Sequence, residues 1–261
     1  MTKANLIYLL VLAVLNANII AYNTGEFETV NKSGPGIVIT FDDHYVESWY
    51  SARELFNEFG ARVTFFIDNY HQLSTDELNM LRVLNRDGHE IASHGLNHLN
   101  ALEFIDSNSL EAYLAEEINP SINIMGKDYL KPTAFAYPFG ARTEKIDEAL
   151  FNIFKIIRGT TYTSNRIRLK DLNSVYYKPG KSNRLVFGVG IDGIYRNTIE
   201  EILEGIDRAK NNGEILVIYA HIIGEEEDEH NYIVSKNKLE MILQYVKENN
   251  MTFYTISEVA N

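Results

Sequence analysis

The chain has 261 residues, among them 24 Lys or Arg, 36 Asp or Glu, 7 His and no Cys. Its formal net charge of −12 argues against a nucleic acid or an anionic membrane surface as the main partner. The absence of Cys excludes disulfides, thiolate metal sites and a cysteine nucleophile, so any transition-metal site must use histidines and carboxylates.

Residues 1–21 have the organisation of a secretory signal peptide. Lys3 precedes an apolar run at residues 6–15, and the small residue Ala21 follows it. The run is too short to span a bilayer comfortably, so we expect no stable membrane insertion. An uncleaved apolar anchor is the alternative. We expect a secreted or periplasmic protein in which residues 22–35 form an N-terminal extension.

Strand-like and helix-like segments alternate along the rest of the chain, which is typical of βαβ units. Strands are predicted at residues 36–41, 61–67, 90–93, 133–137, 156–158, 184–189, 214–220 and 252–256. Helices are predicted at residues 47–59, 75–86, 143–154, 198–210 and 235–249, and from residue 109 onward with an interruption at Pro120. Residues 36–261 are therefore predicted to form one α/β domain, most simply a barrel.

Two adjacent carboxylates follow the first predicted strand. Asp42, Asp43 and His44 come directly after Phe41. Because β/α barrels carry their active sites at the C-terminal ends of the strands, this pair could divide the work between binding a metal and acting as a base. A polar turn after a strand is the alternative explanation, since Asp is common there.

Histidines follow two other predicted strands. His94 and His98 come after the third strand, and their spacing allows both to reach one cation. His221 ends the apolar run at residues 214–220, where a satisfied core histidine is the alternative. With Asp43, the first two would form a site with one carboxylate, two imidazoles and open positions for water. Asp42 and His221 would remain as general base and general acid.

Four short motifs resemble those of the polysaccharide deacetylases, the NodB-homology or family 4 carbohydrate esterases. In this chain they read ITFDD (39–43), SHGLNH (93–98), FAYPFG (135–140) and LVIYAH (216–221). They occur in that family's order, each at the end of a predicted strand, and they extend over most of the chain from Gly36 onward.

The resemblance implies a deformed (β/α)₇ barrel that removes acetyl groups from a carbohydrate, usually from N-acetylglucosamine units. It implies that Asp43, His94 and His98 bind one divalent metal ion, commonly Zn²⁺, with Co²⁺, Ni²⁺ or Mn²⁺ as alternatives. Asp42 would be the general base that activates water, and His221 would protonate the departing group.

The same resemblance implies which residues line the substrate. The backbone N–H of Phe139 would stabilise the oxyanion that forms on the acetyl carbonyl. We expect the substrate to contact residues of the third and fourth motifs together with the extra imidazole after the Asp pair. These residues are Phe139, Tyr137, Pro138, Tyr219 and His44.

Several positions depart from the family's pattern. Ala136 stands where the family usually has an Arg that orients the base. Arg142, Arg158 or another residue could replace it, or the base could be held differently. Gly95 replaces a Ser or Thr whose hydroxyl braces the histidine loop. Asp192 is the candidate partner of the acid His221.

Further residues could belong to a sugar-binding groove. Trp49 and Tyr50 could stack on sugar rings, although a core position would explain them equally well. The same holds for Tyr176 and Tyr177. The acidic run at residues 225–230 could attract a cationic glycan, or it could be a solvated loop.

Two classes of function remain open from the sequence. The first is a metal-dependent deacetylase acting on an acetylated glycan, with an O-acetyl esterase of the acetylxylan type as a variant. The second is a non-catalytic glycan-binding relative, which the departures at Ala136 and Gly95 favour. The presence of both Asp42 and His221 argues for the enzyme, because binding alone needs neither.

Overall fold

The computed structural model describes residues 33–164, 167–181 and 183–260, and its centre is a barrel of parallel strands. The strands are β1 (Gly36–Asp43), β2 (Thr64–Ile67), β3 (Glu90–Ser93), β4 (Ala134–Ala136), β5 (Ile156–Thr161), β6 (Tyr176–Tyr177), β7 (Leu185–Gly190), β8 (Ile215–Ala220), β9 (Ile222–Gly224), β10 (Ile233–Ser235) and β11 (Thr252–Tyr254). Strands β1 to β5, β7 and β8 form the wall in that order, and β8 pairs with β1 to close it. This is the predicted (β/α)₇ barrel in a single domain.

Helices connect most of these strands and cover the outside of the barrel. They are α1 (Val46–Ser51), α2 (Arg53–Phe59), α3 (Thr75–Arg86), α4 (Ala101–Ser107), α5 (Leu110–Tyr113), α6 (Asn119–Lys127), α7 (Glu144–Leu150), α8 (Ile199–Asn212) and α9 (Lys236–Glu248). A π-helical turn, Leu114–Ile118, joins α5 to α6. None of the helices in the described part of the chain combines the length and apolar character that a membrane crossing requires.

The structure corrects the predicted elements at two places. The single helix predicted at residues 47–59 is broken at Ala52, whose backbone leaves helical geometry (φ −93°, ψ 4°). Pro120 does not interrupt the stretch after residue 109. It lies in the first turn of α6, where a missing N–H is tolerated, and the π-helical turn precedes it.

Alternate residues of the barrel strands point inward, and this alternation positions the site. On β1, Val38 belongs to the inner core, whereas Ile37, Ile39 and Phe41 pack outward under the helices. The same alternation puts Asp42 on the inner face, at the C-terminal end of the strand. Polar side chains that follow the strands are therefore directed toward one mouth of the barrel.

The predictions for the N-terminus are not addressed by the structure. The predicted signal peptide at residues 1–21, and residues 22–32 of the predicted extension, lie outside the described residues.

Candidate active site

The carboxyl ends of β1, β3 and β8 bring the five predicted catalytic and metal-binding residues to the same end of the barrel. Asp42 and Asp43 end β1, whose neighbour on one side is β8 and on the other β2. His94 directly follows β3, and His221 directly follows β8. Residues separated by up to 179 positions in sequence are thus brought together by the closure of the sheet.

Asp43, His94 and His98 form a cluster that can hold a metal ion. One ligand atom from each lies within 4.8 Å of the others. The Asp43 Oδ1 atom is 3.6 Å from His94 Nε2 and 3.3 Å from His98 Nε2. Two ligands about 2.1 Å from a tetrahedral zinc ion are roughly 3.4 Å apart, so these separations fit such an ion.

The hydrogen bonding of His94 prepares it as a ligand. Its Nδ1 lies 2.8 Å from the backbone oxygen of Ala136. Because a carbonyl oxygen can only accept, Nδ1 must carry the proton, and the neutral ring then presents the Nε2 lone pair to the site. Burial lowers the pKa of His94, which keeps the ring neutral at physiological pH.

Asp43 and His98 are electrostatically coupled. Burial alone would raise the pKa of Asp43, but its hydrogen bond with His98 and the nearby histidines outweigh burial and lower the pKa to about 2. For His98, burial is outweighed in the same way by Asp43, so its pKa is raised. With a cation bound, the Asp43 carboxylate would pair with that cation instead of with His98.

Both of these residues have left-handed backbones. The φ angle is 78° at Asp43 and 57° at His98, a region that residues with a Cβ rarely occupy. Such conformations cost about 1–3 kcal/mol each and persist where the surrounding structure imposes them. The strained backbones therefore indicate that the surrounding structure imposes a specific geometry on these two candidate ligands.

The candidate base Asp42 is held by an arginine from another strand. Its Oδ2 accepts a hydrogen bond from Arg158 Nη2, and both side chains are buried. Its other oxygen, Oδ1, has no hydrogen-bond partner among the described residues. One oxygen is thus fixed by a cation, and the other is available to accept a proton.

Barrel register explains why Arg158 can replace an arginine at Ala136. These two residues are direct neighbours on β4 and β5, so an arginine at either position can point inward at the same height. The guanidinium lies over the rings of Phe66 (5.3 Å) and Tyr219 (4.8 Å). Gly188 leaves room for the Tyr219 ring, since a Cβ there would approach that ring to 3.2 Å.

The other arginine considered for this position lies elsewhere. Arg142 forms an ion pair with Asp147 and packs against the Phe187 ring, 5.6 Å from its centroid. Of the two candidates, Arg158 is therefore the residue that contacts the base.

The candidate acid His221 has a dedicated carboxylate partner. Its Nδ1 donates to Asp192 Oδ2 at 2.6 Å, and its backbone N–H donates to Asp192 Oδ1 at 3.1 Å. Burial disfavours the charged imidazole, but the hydrogen bond and charge of Asp192 outweigh it and raise the pKa of His221. The structure therefore pairs Asp192 with His221.

Trp49 supports the same histidine from behind. Its ring is buried and stacks on Phe65 with centroids 4.9 Å apart, and its Nε1 donates to the backbone oxygen of His221 at 2.7 Å. Trp49 is thus a core residue, as the alternative explanation stated, and it is not part of a sugar-stacking rim. Tyr50 packs against the same core.

His44 is held at the mouth by a residue that sequence reasoning missed. Its Nδ1 lies 2.7 Å from Asp68 Oδ1, and its side chain is 47% exposed, whereas Asp68 is buried. Asp68 directly follows β2, and Asn69 donates to its second oxygen. Because polar residues that follow the strands reach the mouth, the position of Asp68 after β2 could have identified it from the sequence.

The turn after β4 carries Pro138 and Phe139. Phe139 has a left-handed backbone (φ 59°), and its ring is 65% exposed and lies 4.6 Å from the His98 ring. Pro138 begins the turn and is buried. Phe139 thus lies against the candidate metal ligand His98, a position that is compatible with the predicted substrate contact.

Two tyrosines predicted to contact substrate have buried side chains instead. Tyr137 points outward under the helices, where its hydroxyl donates to Asp147 at 2.7 Å. Strand alternation explains this, because the neighbouring Ala136 faces inward. Tyr219 faces inward but supports Arg158 and is only 1% exposed. The structure places neither ring on the accessible surface of the site.

Two further groups assigned to a possible groove belong to the scaffold. Tyr176 and Tyr177 pair with Leu216 and Ile215 at the start of β8, so they lie at the end of the barrel opposite the mouth. In the acidic run, the residues that form ion pairs are Glu225 with Lys236, Glu227 with Lys238, and Glu229 with Arg196. These pairs favour a structural role for much of the run.

Fold and site together define a (β/α)₇ barrel with a candidate Asp-His-His metal site and a candidate base and a candidate acid beside it. Comparison with known proteins agrees with this class. Residues 29–153 match the family model described as "Polysaccharide deacetylase". This match agrees with the resemblance carried by the sequence motifs over that part of the chain.

Solved structures with the same fold include two deacetylases. The chitin deacetylase of the fungal pathogen Colletotrichum lindemuthianum is 16% identical, with a TM-score of 0.56 over 87% of this chain and 88% of its own. Peptidoglycan deacetylase PdaC from Bacillus subtilis is also 16% identical, with a TM-score of 0.54 over 87% and 90%. At such identities the similarity shows the fold alone.

A gellan lyase from Bacillus sp. is a relative in sequence. It is 24% identical over 165 residues, which is 62% of this chain. The matched segment is 6% of the length of that protein, so the similarity concerns a small part of it.

Proposed function

We propose that this chain is a metal-dependent hydrolase that removes acetyl groups from a polysaccharide, with N-acetylglucosamine units as the preferred substrate. The observation that carries the proposal is the arrangement at the barrel mouth. Three candidate metal ligands lie together, and a base and an acid, each with its own buried partner, lie at the same strand ends. This set of groups is suited to metal-dependent hydrolysis of an acetyl group.

The candidate ligands Asp43, His94 and His98 would hold one divalent cation. We propose Zn²⁺, because two imidazoles and one carboxylate with an open position are a zinc donor set, and Co²⁺, Ni²⁺ or Mn²⁺ are alternatives. When bound, such a cation polarises an acetyl carbonyl and lowers the pKa of a coordinated water.

Asp42 is proposed as the general base. Arg158 fixes its Oδ2, which leaves Oδ1 to accept the proton that the attacking water loses. We also propose that the backbone N–H of Phe139, in the strained turn after β4, donates a hydrogen bond to the oxyanion formed from the acetyl carbonyl oxygen.

His221 is proposed as the general acid. Asp192 holds the Nδ1 side of the ring, so the Nε2 proton is the one available for transfer. As the C–N bond breaks, His221 donates this proton to the departing amine nitrogen. The raised pKa of His221 favours the protonated form that this step requires.

Exposed aromatic rings near the acid support a sugar substrate. Tyr232 is 47% exposed and lies 4.9 Å from the His221 ring, and Tyr162 is 57% exposed and lies 6.0 Å from Tyr195. Aromatic faces with partly exposed edges are suited to the apolar faces of sugar rings. His44, held by Asp68, would add a polar contact beside them.

The structure weakens the case for a non-catalytic glycan-binding protein. That alternative was favoured by the missing arginine at Ala136, and Arg158 now occupies the corresponding place beside Asp42. An O-acetyl ester substrate remains a variant of the proposal, because the same base, acid and metal site serve an alcohol leaving group. Export, proposed from residues 1–21, would place the protein where cell-wall and extracellular glycans occur.

The test is acetate release from a panel of chitin oligomers, peptidoglycan, poly-N-acetylglucosamine and acetylxylan, with Zn²⁺ added back after chelation. We expect release from an N-acetylated glycan that depends on Zn²⁺ and is lost in D42N. Release from acetylxylan alone would favour the esterase variant. Measurable glycan binding without acetate release from any substrate would favour the non-catalytic relative.

A further inference from the structure

A buried glutamate grips the loop between the two candidate histidine ligands. Glu117 lies in the π-helical turn Leu114–Ile118, and its side chain is completely buried. Both its oxygens lie 3.0 Å from the backbone nitrogen of Asn97, and the Leu99 N–H donates to Oε1 at 3.1 Å. The side-chain amide of Asn97 donates to Oε2 at 3.2 Å. Among the described residues no lysine or arginine pairs with this carboxylate, so these N–H groups satisfy it.

The N–H groups that Glu117 holds belong to the two residues on either side of His98. One carboxylate therefore fixes the backbone before and after this ligand candidate. His98 itself has the left-handed backbone that a residue with a Cβ rarely adopts (φ 57°). Glu117 thus supplies charge-assisted hydrogen bonds that hold the backbone on both sides of His98 and stabilise its left-handed conformation.

Gly95 makes this contact possible. A Cβ at this position would lie 2.3 Å from Glu117 Oε1, which is too close for any side chain. The backbone there is also left-handed (φ 91°), and its N–H donates to Ser93 Oγ at 3.2 Å. Gly95 lacks the hydroxyl that a Ser or Thr would use to brace the loop. It leaves space instead for the Glu117 carboxylate, which braces the loop from another element.

The π-helical turn directs Glu117 toward the loop. A π-helical turn inserts an extra residue into a helix and rotates the side chains around it, and such turns are frequent at functional sites. Here the turn separates α5 from α6, and Glu117 is buried within it while its neighbour Glu116 is exposed. The local geometry therefore serves the contact with the histidine loop.

We propose that Glu117 is a positioning residue that holds His98 in its metal-binding geometry and so sets the affinity of the site for its cation. This inference rests on the metal site of the proposed function and goes beyond it in assigning a residue outside the four motifs. Partners that orient metal ligands in this way typically change metal affinity by about 10- to 100-fold when they are removed.

The test measures metal binding without substrate, so it does not depend on catalysis. We expect E117Q to bind Zn²⁺ about 10- to 100-fold more weakly than the wild type in competition with a chelating dye. Its Co²⁺-loaded form should show an altered visible absorption spectrum, which a purely structural role distant from the ligands would not produce. The matched control is E116Q, which changes the exposed neighbour in the same turn and should leave both readouts unchanged.

A second variant perturbs the same contact from the other side. G95A leaves Glu117 in place but introduces a Cβ against its carboxylate, and it should weaken Zn²⁺ binding in the same direction. If neither variant folds, amide hydrogen exchange of the wild type decides. The Asn97 and Leu99 amides should exchange slowly even without metal, because their acceptor is Glu117.

Three results would overturn the inference. The first is a folded E117Q protein with wild-type Zn²⁺ affinity and Co²⁺ spectrum. The second is fast exchange of the Asn97 and Leu99 amides in the metal-free wild type. The third is a wild-type protein that binds neither ion, which would also overturn the proposed metal site, whereas the first two leave that site intact.

Discussion

The two sides of the barrel mouth are stabilised in different ways. On the acid–base side, Asp42 and His221 each have one buried partner of opposite charge, Arg158 and Asp192. On the metal side, Asp43 is the shared partner of both histidines, and two of the three residues have strained backbones. The charges on the candidate acid–base side are therefore paired within the protein, whereas the metal side is a cluster that could hold a cation.

Because of this difference, the two sides should respond differently to the same treatment. Removing the cation should alter the metal side and leave the Asp42–Arg158 and His221–Asp192 pairs formed. Substitutions on the acid–base side should change catalysis and its pH dependence while metal still binds.

The largest effect is expected from D43A, which removes the shared carboxylate of the metal side. A metal ion contributes several kcal/mol to stabilising the transition state, so activity should fall by about 10³-fold or more. Zn²⁺ binding should be lost as well, as measured by isothermal titration. The variant should remain folded with a modestly lower Tm, because Ala tolerates the left-handed conformation at this position less well than Asp. A variant that retains both Zn²⁺ binding and activity would refute the ligand assignment.

R158M should have the next largest effect, because it leaves Asp42 buried without its cation. Breaking a buried ion pair on one side costs about 3–5 kcal/mol, which denaturant unfolding would measure. We also expect kcat to fall by about 10²-fold, since the proposed base loses the group that orients it. Zn²⁺ affinity should stay near the wild-type value, which separates the two sides.

The control for this prediction is R142M, which removes the arginine that pairs with Asp147 instead. It should retain wild-type kcat. The double variant A136R/R158A returns the arginine to the neighbouring strand at the same height, and it should recover part of the lost activity. Equal losses in R142M and R158M would contradict the assignment of Arg158 to the base.

D192N should act mainly through the pKa of His221. A general acid works while protonated, so activity falls as pH rises through its pKa. Because Asp192 raises that pKa, the wild type should lose activity at a pH above the usual histidine value near 6.5. Removing the charge lowers the pKa and moves the falling limb of the profile to lower pH. A shift of one pH unit corresponds to about a tenfold loss on that limb. An unchanged kcat–pH profile would remove His221 from the role of acid.

The smallest effect is expected from Y232A, which removes an exposed ring beside His221. Stacking on an aromatic ring contributes about 0.5–1.5 kcal/mol, so KM for a glycan polymer should rise about 2- to 10-fold with kcat little changed. Y129A is a suitable control. Tyr129 is 93% exposed and precedes β4, at the end of the barrel opposite the mouth. Equal effects of the two substitutions would mean that Tyr232 makes no specific contact.

The sequence predicted the metal side better than its supports. Asp43, His94 and His98 lie in two short motifs after strands, so strand periodicity was enough to bring them together. Glu117 supports the histidine motif from 20 positions away through a π-helical turn, and Arg158, one of two arginines considered from the sequence, supports Asp42 from 116 positions away through barrel register. Neither register nor an extra helical residue has a clear signature in a single sequence.

The side-chain direction of residues next to strand ends was the other source of error. Tyr137 follows β4 but belongs to its outer face, and Tyr219 faces inward below the mouth, where it packs on Arg158. A motif gives the position of such residues along the chain. Which of them reach the accessible surface depends on the strand alternation and on how deep each residue lies in the barrel.

The most direct measurement is a Zn²⁺ titration of metal-stripped wild-type protein, with acetate release from an N-acetylglucosamine polymer as the readout. We expect no release without metal, and a linear rise that saturates at one Zn²⁺ per chain. The D43A protein under the same conditions should show no rise. Acetate release that persists in the presence of excess chelator, or that is equal in D43A and the wild type, would contradict a metal-dependent deacetylase built on Asp43, His94 and His98.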